Sequence, residues 1–240
     1  MEVRDGWTLG AGTSPHPVIS NAAFRTDDEL DPAELLGAAR AFFGERGRGF
    51  SVWARSGVQE DRDLIKVAQD GGLQSIHEMP EMILDRRPPE HPLPDGLELR
   101  RVSSAGEASD YWRVATLAYS SLGFPAMTFD AYTNHAGLHS DNVAAFLVRE
   151  DGEPLSIAMS IVSDGVAGIY WVGSVTTARG RGLGRTVTAA AVNAGFDLGA
   201  EIASLQASPM GESLYSAMGF EKVFNYRLLV SPPRETSTAR

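Results

Sequence analysis

Arg179-Gly180-Arg181-Gly182-Leu183-Gly184 decides the reading of this chain, because of what lies on each side of it. Before it runs an apolar, strand-like stretch, Val166-Ala167-Gly168-Ile169-Tyr170-Trp171-Val172, and after it an alanine-rich helix former over residues 186–196. A strand, a glycine loop and a helix make an anion site. Glycines let backbone N–H groups approach an oxyanion, and the N–H groups of a first helical turn have no partner within the helix. Arg179, Arg181 and Arg185 add cationic charge beside those donors. The expected guest is a phosphate or pyrophosphate.

The spacing excludes two common phosphate loops. No Gly-Lys-Ser/Thr closes the run, and Gly180, Gly182 and Gly184 are spaced by two rather than as Gly-x-Gly-x-x-Gly. The pattern that fits is Arg/Gln-x-x-Gly-x-Gly/Ala, carried by Arg179, Gly182 and Gly184. Downstream, residues 202–207 read as a strand, and Ser208-Pro209 opens a short helix. That helix carries Leu214-Tyr215-Ser216-Ala217-Met218-Gly219-Phe220 into a last strand at residues 221–230.

On these two segments, in this order, residues 97–230 resemble the GCN5-related N-acetyltransferase (GNAT) superfamily. The resemblance implies acetyl-CoA as acyl donor and an amine acceptor as the other partner. It places the donor against Ser174, Val175 and Thr176 of the strand. Beyond them come Arg179, Gly180, Arg181, Gly182, Leu183, Gly184, Arg185 and Thr186 of the loop and helix, and Ser208. It makes Tyr215 the acid that protonates the departing thiolate. Two departures stand out: Ser208 occupies a place where the family often has Asn, and Ser174 and Thr176 stand where the strand usually ends Val-x-Pro.

The implied fold class is α/β of the α+β kind: a mixed, mostly antiparallel sheet flanked by helices, in the order β-α-α-β-β-β-α-β-α-β. The elements read from the sequence match it. Strands fall at residues 97–102, 143–149, 154–162 and 166–175, with helices at 107–120 and 129–137 before the meander. A Pro-rich linker, residues 88–96, precedes this domain, and residues 231–240 read as a flexible tail.

Residues 1–87 look like a smaller, degenerate GNAT-like half-domain. A strand at 18–24, a helix at 32–44 capped by Asp31, a strand at 50–55, a short helix ending in Gly72-Leu73 and a strand at 74–84 repeat the second half of the order. Aligning residues 67–73 with 214–220 sets Ala68 opposite Tyr215. The loop before the first-half helix carries Asp27, Asp28, Glu29 and Asp31, which would repel a pyrophosphate. Arg46-Gly47-Arg48-Gly49 imitates the anion loop in composition but lies after a helix and before a strand, the reverse of the required context.

Composition narrows the chemistry. No cysteine is present, which excludes disulfides, thiolate metal sites and a cysteine acyl-enzyme, so direct transfer is expected and no metal. A net charge of −10 argues against nucleic acid as a partner. No stretch of 18 apolar residues exists and no apolar run follows Met1-Glu2-Val3-Arg4-Asp5, so neither a membrane span nor a signal peptide is expected, and the cytoplasm is the expected compartment. Nothing decides between a monomer and a homodimer.

The general base is not legible. The strand at 165–174 carries no carboxylate, and Asp164 reads as a turn residue. His135 and His139 have suitable intrinsic chemistry but read as surface histidines, and Glu212 suits a helix N-terminus. Tyr111, Trp112, Tyr119, Phe124, Met127, Phe129 and Tyr132 form an aromatic-rich region, mostly core, near the Leu122-Gly123-Phe124-Pro125 loop. The expected function is acetyl-CoA-dependent N-acyl transfer to a primary amine of a small molecule or protein. The alternative is an acyl-CoA-binding sensor without turnover.

Overall fold

The computed structural model describes residues 1–12, 14–18, 20–122 and 135–231. Most of the helix expected at 129–137, the side chains of Phe124, Met127, Phe129, Tyr132 and His135, and the tail beyond Ser231 lie outside the described residues. The chain divides into two compact units. Met1–Pro80 with Phe224–Arg240 form the first, and Glu81–Val223 the second. The division therefore falls at Pro80, where the sequence reading placed it at the linker.

The first unit carries β1 (Glu2–Arg4), β2 (Trp7–Ala11), β3 (Asn21–Arg25), α1 (Pro32–Gly44), β4 (Phe50–Ser56), α2 (Arg62–Asp70) and the start of β5 (Gln74–Leu84). Its sheet runs β1-β2-β3-β4-β11, where β11 is Glu221–Ser231, the last strand of the chain. β3 and β4 are parallel, and β4 pairs antiparallel with residues 225–231 of β11. The helix α1 forms where expected. The Asp31 carboxylate accepts from Ala33 N–H, Pro32 opens the first turn, and Leu35, Ala39 and Phe43 bury one stripe at a spacing of four. The β1–β2 hairpin was not anticipated; Asp5-Gly6, with Gly6 at φ +90°, is its turn.

The second unit carries β6 (Leu97–Arg101), α3 (Ala105–Ser120), β7 (Val143–Glu150), β8 (Glu153–Ser163), β9 (Val166–Ser174), α4 (Leu183–Asp197), β10 (Ile202–Gln206), α5 (Glu212–Ala217) and the start of β11. Its strands run β5-β10-β9-β8-β7-β6, antiparallel except for the parallel pair β9–β10. Asp151-Gly152 and Asp164-Gly165, all with positive φ, make the two tight hairpins, which fixes Asp164 as a turn residue. Alternation along β7 and β8 builds two layers. Val148 and Ala158 join the core beneath α4, and Leu147, Ile157 and Met159 the core beneath α3.

The two halves exchange their last strands. β5, the end of the first half, pairs with β10 and sends Met82 and Leu84 into the α4 core, while β11 pairs with β4 and sends Leu229 into the α1 core. The segment at 88–96 is docked rather than free. Arg87 donates to Asn193 O (3.0 Å) and Asp197 Oδ1 (2.8 Å), Asn193 Nδ2 donates to Pro88 O (3.4 Å), and Leu93 packs on the α4 core. No helix among the described residues is long and apolar enough to cross a membrane.

Candidate active site

β9 is bent where the chemistry is expected. Its pairing with β8 slips between Ile157↔Gly173 and Met159↔Tyr170, so Trp171 and Val172 bulge opposite Ala158, and Trp171 takes φ +52°. A bulky residue at positive φ is strained and persists only where its surroundings hold it; here Trp112 and Tyr119 flank the indole at 5.8 and 5.3 Å. The parallel pairing of β9 with β10 ends at Gly168↔Ser204, and past that point the two strands share no register. A bulged strand that leaves its parallel neighbour opens a crevice at their carboxyl ends, where α/β sheets hold ligands.

α4 begins at this crevice. Gly182 is its N-cap at φ +79°, a left-handed conformation that suits glycine, and no side chain caps the turn. The N–H groups of Leu183 and Gly184 are therefore available to an anion, while Arg185 N–H already donates to Gly182 O at 3.0 Å. The arginines behave differently from the sequence expectation. Arg179 donates to Ser174 O and Ala118 O, each at 3.3 Å, and to Ser121 Oγ, which ties the loop to the end of α3. Arg181 pairs with both oxygens of Glu150 on the surface, at 2.9 and 2.5 Å, and Arg185 donates to Ala217 O at the end of α5, 2.6 Å. All three have protein partners because carbonyls and a carboxylate lie within reach of the loop. The exposed Arg181–Glu150 pair is a weak one and exchanges easily.

Among the other expected donor contacts, Val175 N–H is not free: it donates to Leu155 O at 2.9 Å, an extension of the β8–β9 ladder. Ser174 Oγ lies 2.8 Å from Ser156 Oγ. Leu183 is fully buried in the α4 core, so its side chain packs and only its backbone faces the loop. Thr186 is buried with its hydroxyl toward Gly182 O. Ser208 Oγ accepts from Gly211 N–H at 3.2 Å and closes the turn into α5. Gly180 is at φ +77°, and an added Cβ on Gly184 would meet Leu214 at 3.5 Å, so loop and α5 are in contact range.

Tyr215 sits on α5, buried, with Phe220 edge-on at 5.8 Å. The helix ends as the sequence implied. Gly219 takes φ +95°, and Phe220 N–H reaches back to Tyr215 O at 3.0 Å. Burial pushes the Tyr215 phenol up to about 12, so it holds its proton at neutral pH. The Tyr119 phenol is raised by burial and then by Tyr215, which marks the two as neighbours; Tyr119 donates to Val172 O at 3.3 Å. Tyr111 and Trp112 are core, as expected, and His139 is exposed at the end of a short 3-10 turn.

Sequence reasoning missed His91. The docked linker brings its Nε2 to 3.2 Å from the place a Cβ on Gly182 would take, directly over the loop. Nothing in a Pro-rich stretch signals such a register.

The first unit lacks the equivalent site. Its parallel pair β3–β4 also leads into a helix, but α1 is capped by its own Asp31 carboxylate, and Pro32 contributes no N–H. The crevice there, an open cleft of about 570 Å³, is lined by arginine and carboxylate side chains paired with one another. Arg55 grips Asp61 through Nε (3.1 Å) and Nη2 (2.7 Å), and Arg25 reaches the same carboxylate at 3.1 Å. Arg46-Gly47-Arg48-Gly49 follows the end of α1, with Arg46 donating back to Phe42 O at 2.6 Å.

This architecture is that of the GCN5-related N-acetyltransferases, in a two-half arrangement. A GCN5-related N-acetyltransferase from Kribbella flavida is similar over 92% of this chain and 84% of its own, with a TM-score of 0.72 and 23% identity. One from Sphaerobacter thermophilus covers 95% and 77%, at 0.69 and 15%. A tandem GNAT protein from the clavulanic acid biosynthesis pathway covers 90% and 76%, at 0.64 and 13%. No protein-family model and no curated protein matches the chain in sequence.

Proposed function

We propose that the second unit is an acetyl-CoA-dependent N-acyltransferase that passes the acyl group directly to a primary amine. The observation that carries this reading is the uncapped N-terminus of α4 at the end of a bulged β9, with the buried phenol of Tyr215 on the adjoining helix. Acetyl-CoA supplies an activated acyl thioester and a diphosphate handle. The first-turn N–H groups of α4, with Gly180 and Gly182, hold the diphosphate, and Arg181 leaves Glu150 to join them. The β9 backbone past the bulge, Val175 N–H excepted, orients the carbonyl. Tyr215 gives its proton to sulfur as the C–S bond breaks. Absence of cysteine supports direct transfer over an acyl-enzyme.

Release of CoA thiol from acetyl-CoA with a panel of primary amines tests the reading. Amine-dependent release is expected. Acetyl-CoA binding without release from any amine would instead support a sensor.

A further inference from the structure

Glu81 is a buried carboxylate that the chemistry above does not use. It lies on β5 opposite Gln206 in the pairing with β10, and it is 7% exposed. One oxygen accepts from Ser204 Oγ, and the other accepts from Gln206 Nε2 at 2.6 Å. Both donors are neutral, and among the described residues no Lys, Arg or His side chain forms an ion pair with it. An ionised carboxylate taken out of water without a counter-charge is costly, so such a group either keeps a proton or waits for a cation. Burial pushes the Glu81 carboxyl up, against the two hydrogen bonds that favour its ionised form.

Its place in the sheet gives the cation a class. Ala203 and Leu205 point into the α4 core, so Ser204 and Gln206, and Glu81 with them, lie on the opposite face. Tyr170 of β9 folds back onto this face. A Cβ on Gly168 would stand 2.6 Å from the Tyr170 hydroxyl, and Gly168 is the register partner of Ser204. The Tyr170 phenol is raised by burial and then by the charge of Glu81, so the two groups are neighbours. Among the described residues Tyr170 is a titratable group whose phenol feels the Glu81 charge, and β10 offers that carboxylate the neutral Ser204 and Gln206. Tyr170 remains 41% exposed, so the residue that lies beside the carboxylate also reaches solvent. The next residue is Trp171, in the β9 bulge and past the end of the pairing with β10 at Gly168.

Resting on the acyl-transfer reading above, we propose that Glu81 anchors the acceptor's ammonium group and serves as the general base. The carboxylate takes one proton from R–NH3+, leaving R–NH2 and a neutral carboxyl. The amine lone pair then forms the C–N bond as the C–S bond breaks, and sulfur takes the proton of Tyr215. The nitrogen's surplus proton passes through water to restore Tyr215, and Glu81 returns its own to solvent. Acyl-CoA and R–NH3+ become amide, CoA thiol and one released proton. Glu81 is the first residue of the second unit, so base and acyl-transfer site belong to one compact unit.

The test uses the full chain with acetyl-CoA and spermidine, tyramine and glucosamine as amine probes. Glu81→Gln is expected to lower kcat/KM for the amine about 100-fold and to abolish the acid limb of its pH profile. The acetyl-CoA Kd is expected to stay within about twofold and the melting temperature nearly unchanged, outcomes that a merely structural role would not produce. Glu81→Asp is expected to keep the acid limb at a reduced rate. A Glu81→Gln enzyme that keeps both rate and acid limb overturns the assignment. So does one that loses acetyl-CoA affinity and melting temperature in step with rate. Failure of the wild-type chain to release thiol with any probe would refute the acyl-transfer reading as well, whereas a normal Glu81→Gln variant refutes the base alone.

Discussion

Replacing Gly182 by Asp tests the anion site at its narrowest point. The backbone there is left-handed, φ +79° and ψ −2°, so any side chain costs about 1 kcal/mol of strain, and less for Asp than for most. The new carboxylate does not gain the cap that Asp31 enjoys, because Asp31 caps from φ −59° and ψ 119°. His91 must yield slightly, its Nε2 lying 3.2 Å from the new Cβ. The fold should therefore survive with a loss of about 1 kcal/mol in stability. Ligand affinity is another matter. A carboxylate and a phosphate charge about 5 Å apart repel by about 3 kcal/mol at an effective dielectric of about 20. Salt screens part of that, so a tenfold weaker Kd, about 1.4 kcal/mol, is the floor. Calorimetric titration of CoA into wild type should give one site per chain, since α1 is self-capped, and the variant should show the weakened site. An unchanged Kd in a folded Gly182→Asp protein would refute the diphosphate assignment, and two sites per chain would refute the self-capped reading of the first unit.

Tyr215→Phe keeps the ring against Phe220 and removes only the hydroxyl, so kcat should fall on the order of 10²-fold with KM for acetyl-CoA little changed; a loss chiefly in KM would make Tyr215 a binding residue. Because burial holds its pKa up at about 12, no alkaline decline in wild-type kcat at lower pH belongs to Tyr215, which stopped assays across the alkaline range check. His91→Ala should weaken CoA binding about tenfold, ~1.4 kcal/mol, near the low end for a hydrogen bond to a charged oxygen; equal affinity would leave His91 a bystander. Asp61→Asn removes the carboxylate shared by Arg25, with a side chain 1% exposed, and Arg55; each keeps a second carboxylate, Asp63 and Asp28, so the change should cost about 2 kcal/mol in urea unfolding. Burial alone would raise the Asp61 carboxyl, but its hydrogen bonds from Arg55 and Arg25 hold it below the ordinary range. Its stabilisation is thus complete above that range and lost as pH falls through the depressed value, so the variant should show a shallower acid decline.

The elements that sequence alone defined well are those whose signals are local. Asp31-Pro32 fixed the start of α1, Asp164-Gly165 a hairpin, and Gly219-Phe220 the end of α5. Gly180 and Gly182 were legible because positive φ demands glycine there; the arginines' partners were not, because Glu150, Ala217 and Ser121 are brought near only by folding. Asp5-Gly6 was a readable turn, but β1 is three residues long with a charge at each end, and the alternation of Trp7 and Leu9 in β2 was too brief to weigh. His91 and Glu81 were invisible for a stronger reason. Each acts through a segment, the docked linker or the exchanged β5, whose partner lies about a hundred residues away in the chain.

That exchange also decides which fragments can fold. A chain cut at the linker, beginning at Leu97, keeps β6 to β11 yet lacks the strand that pairs with β10. It loses Met82 and Leu84, 1% and 2% exposed, from the α4 core. Burial of two such side chains contributes about 3–6 kcal/mol, and β10 is left with an open edge. Against a typical total of about 5–15 kcal/mol, the loss leaves little. The fragment starting at Leu97 is therefore expected to aggregate or melt far below the full chain. Adding back residues 74–96 should recover part of the helix signal and thermal stability, because it restores the β10 partner and the linker's hold on α4. Circular dichroism melts of the two fragments beside the full chain would decide it. Equal melting temperatures for the short fragment and the full chain would mean that β5 belongs to the second unit in geometry alone and not in energy.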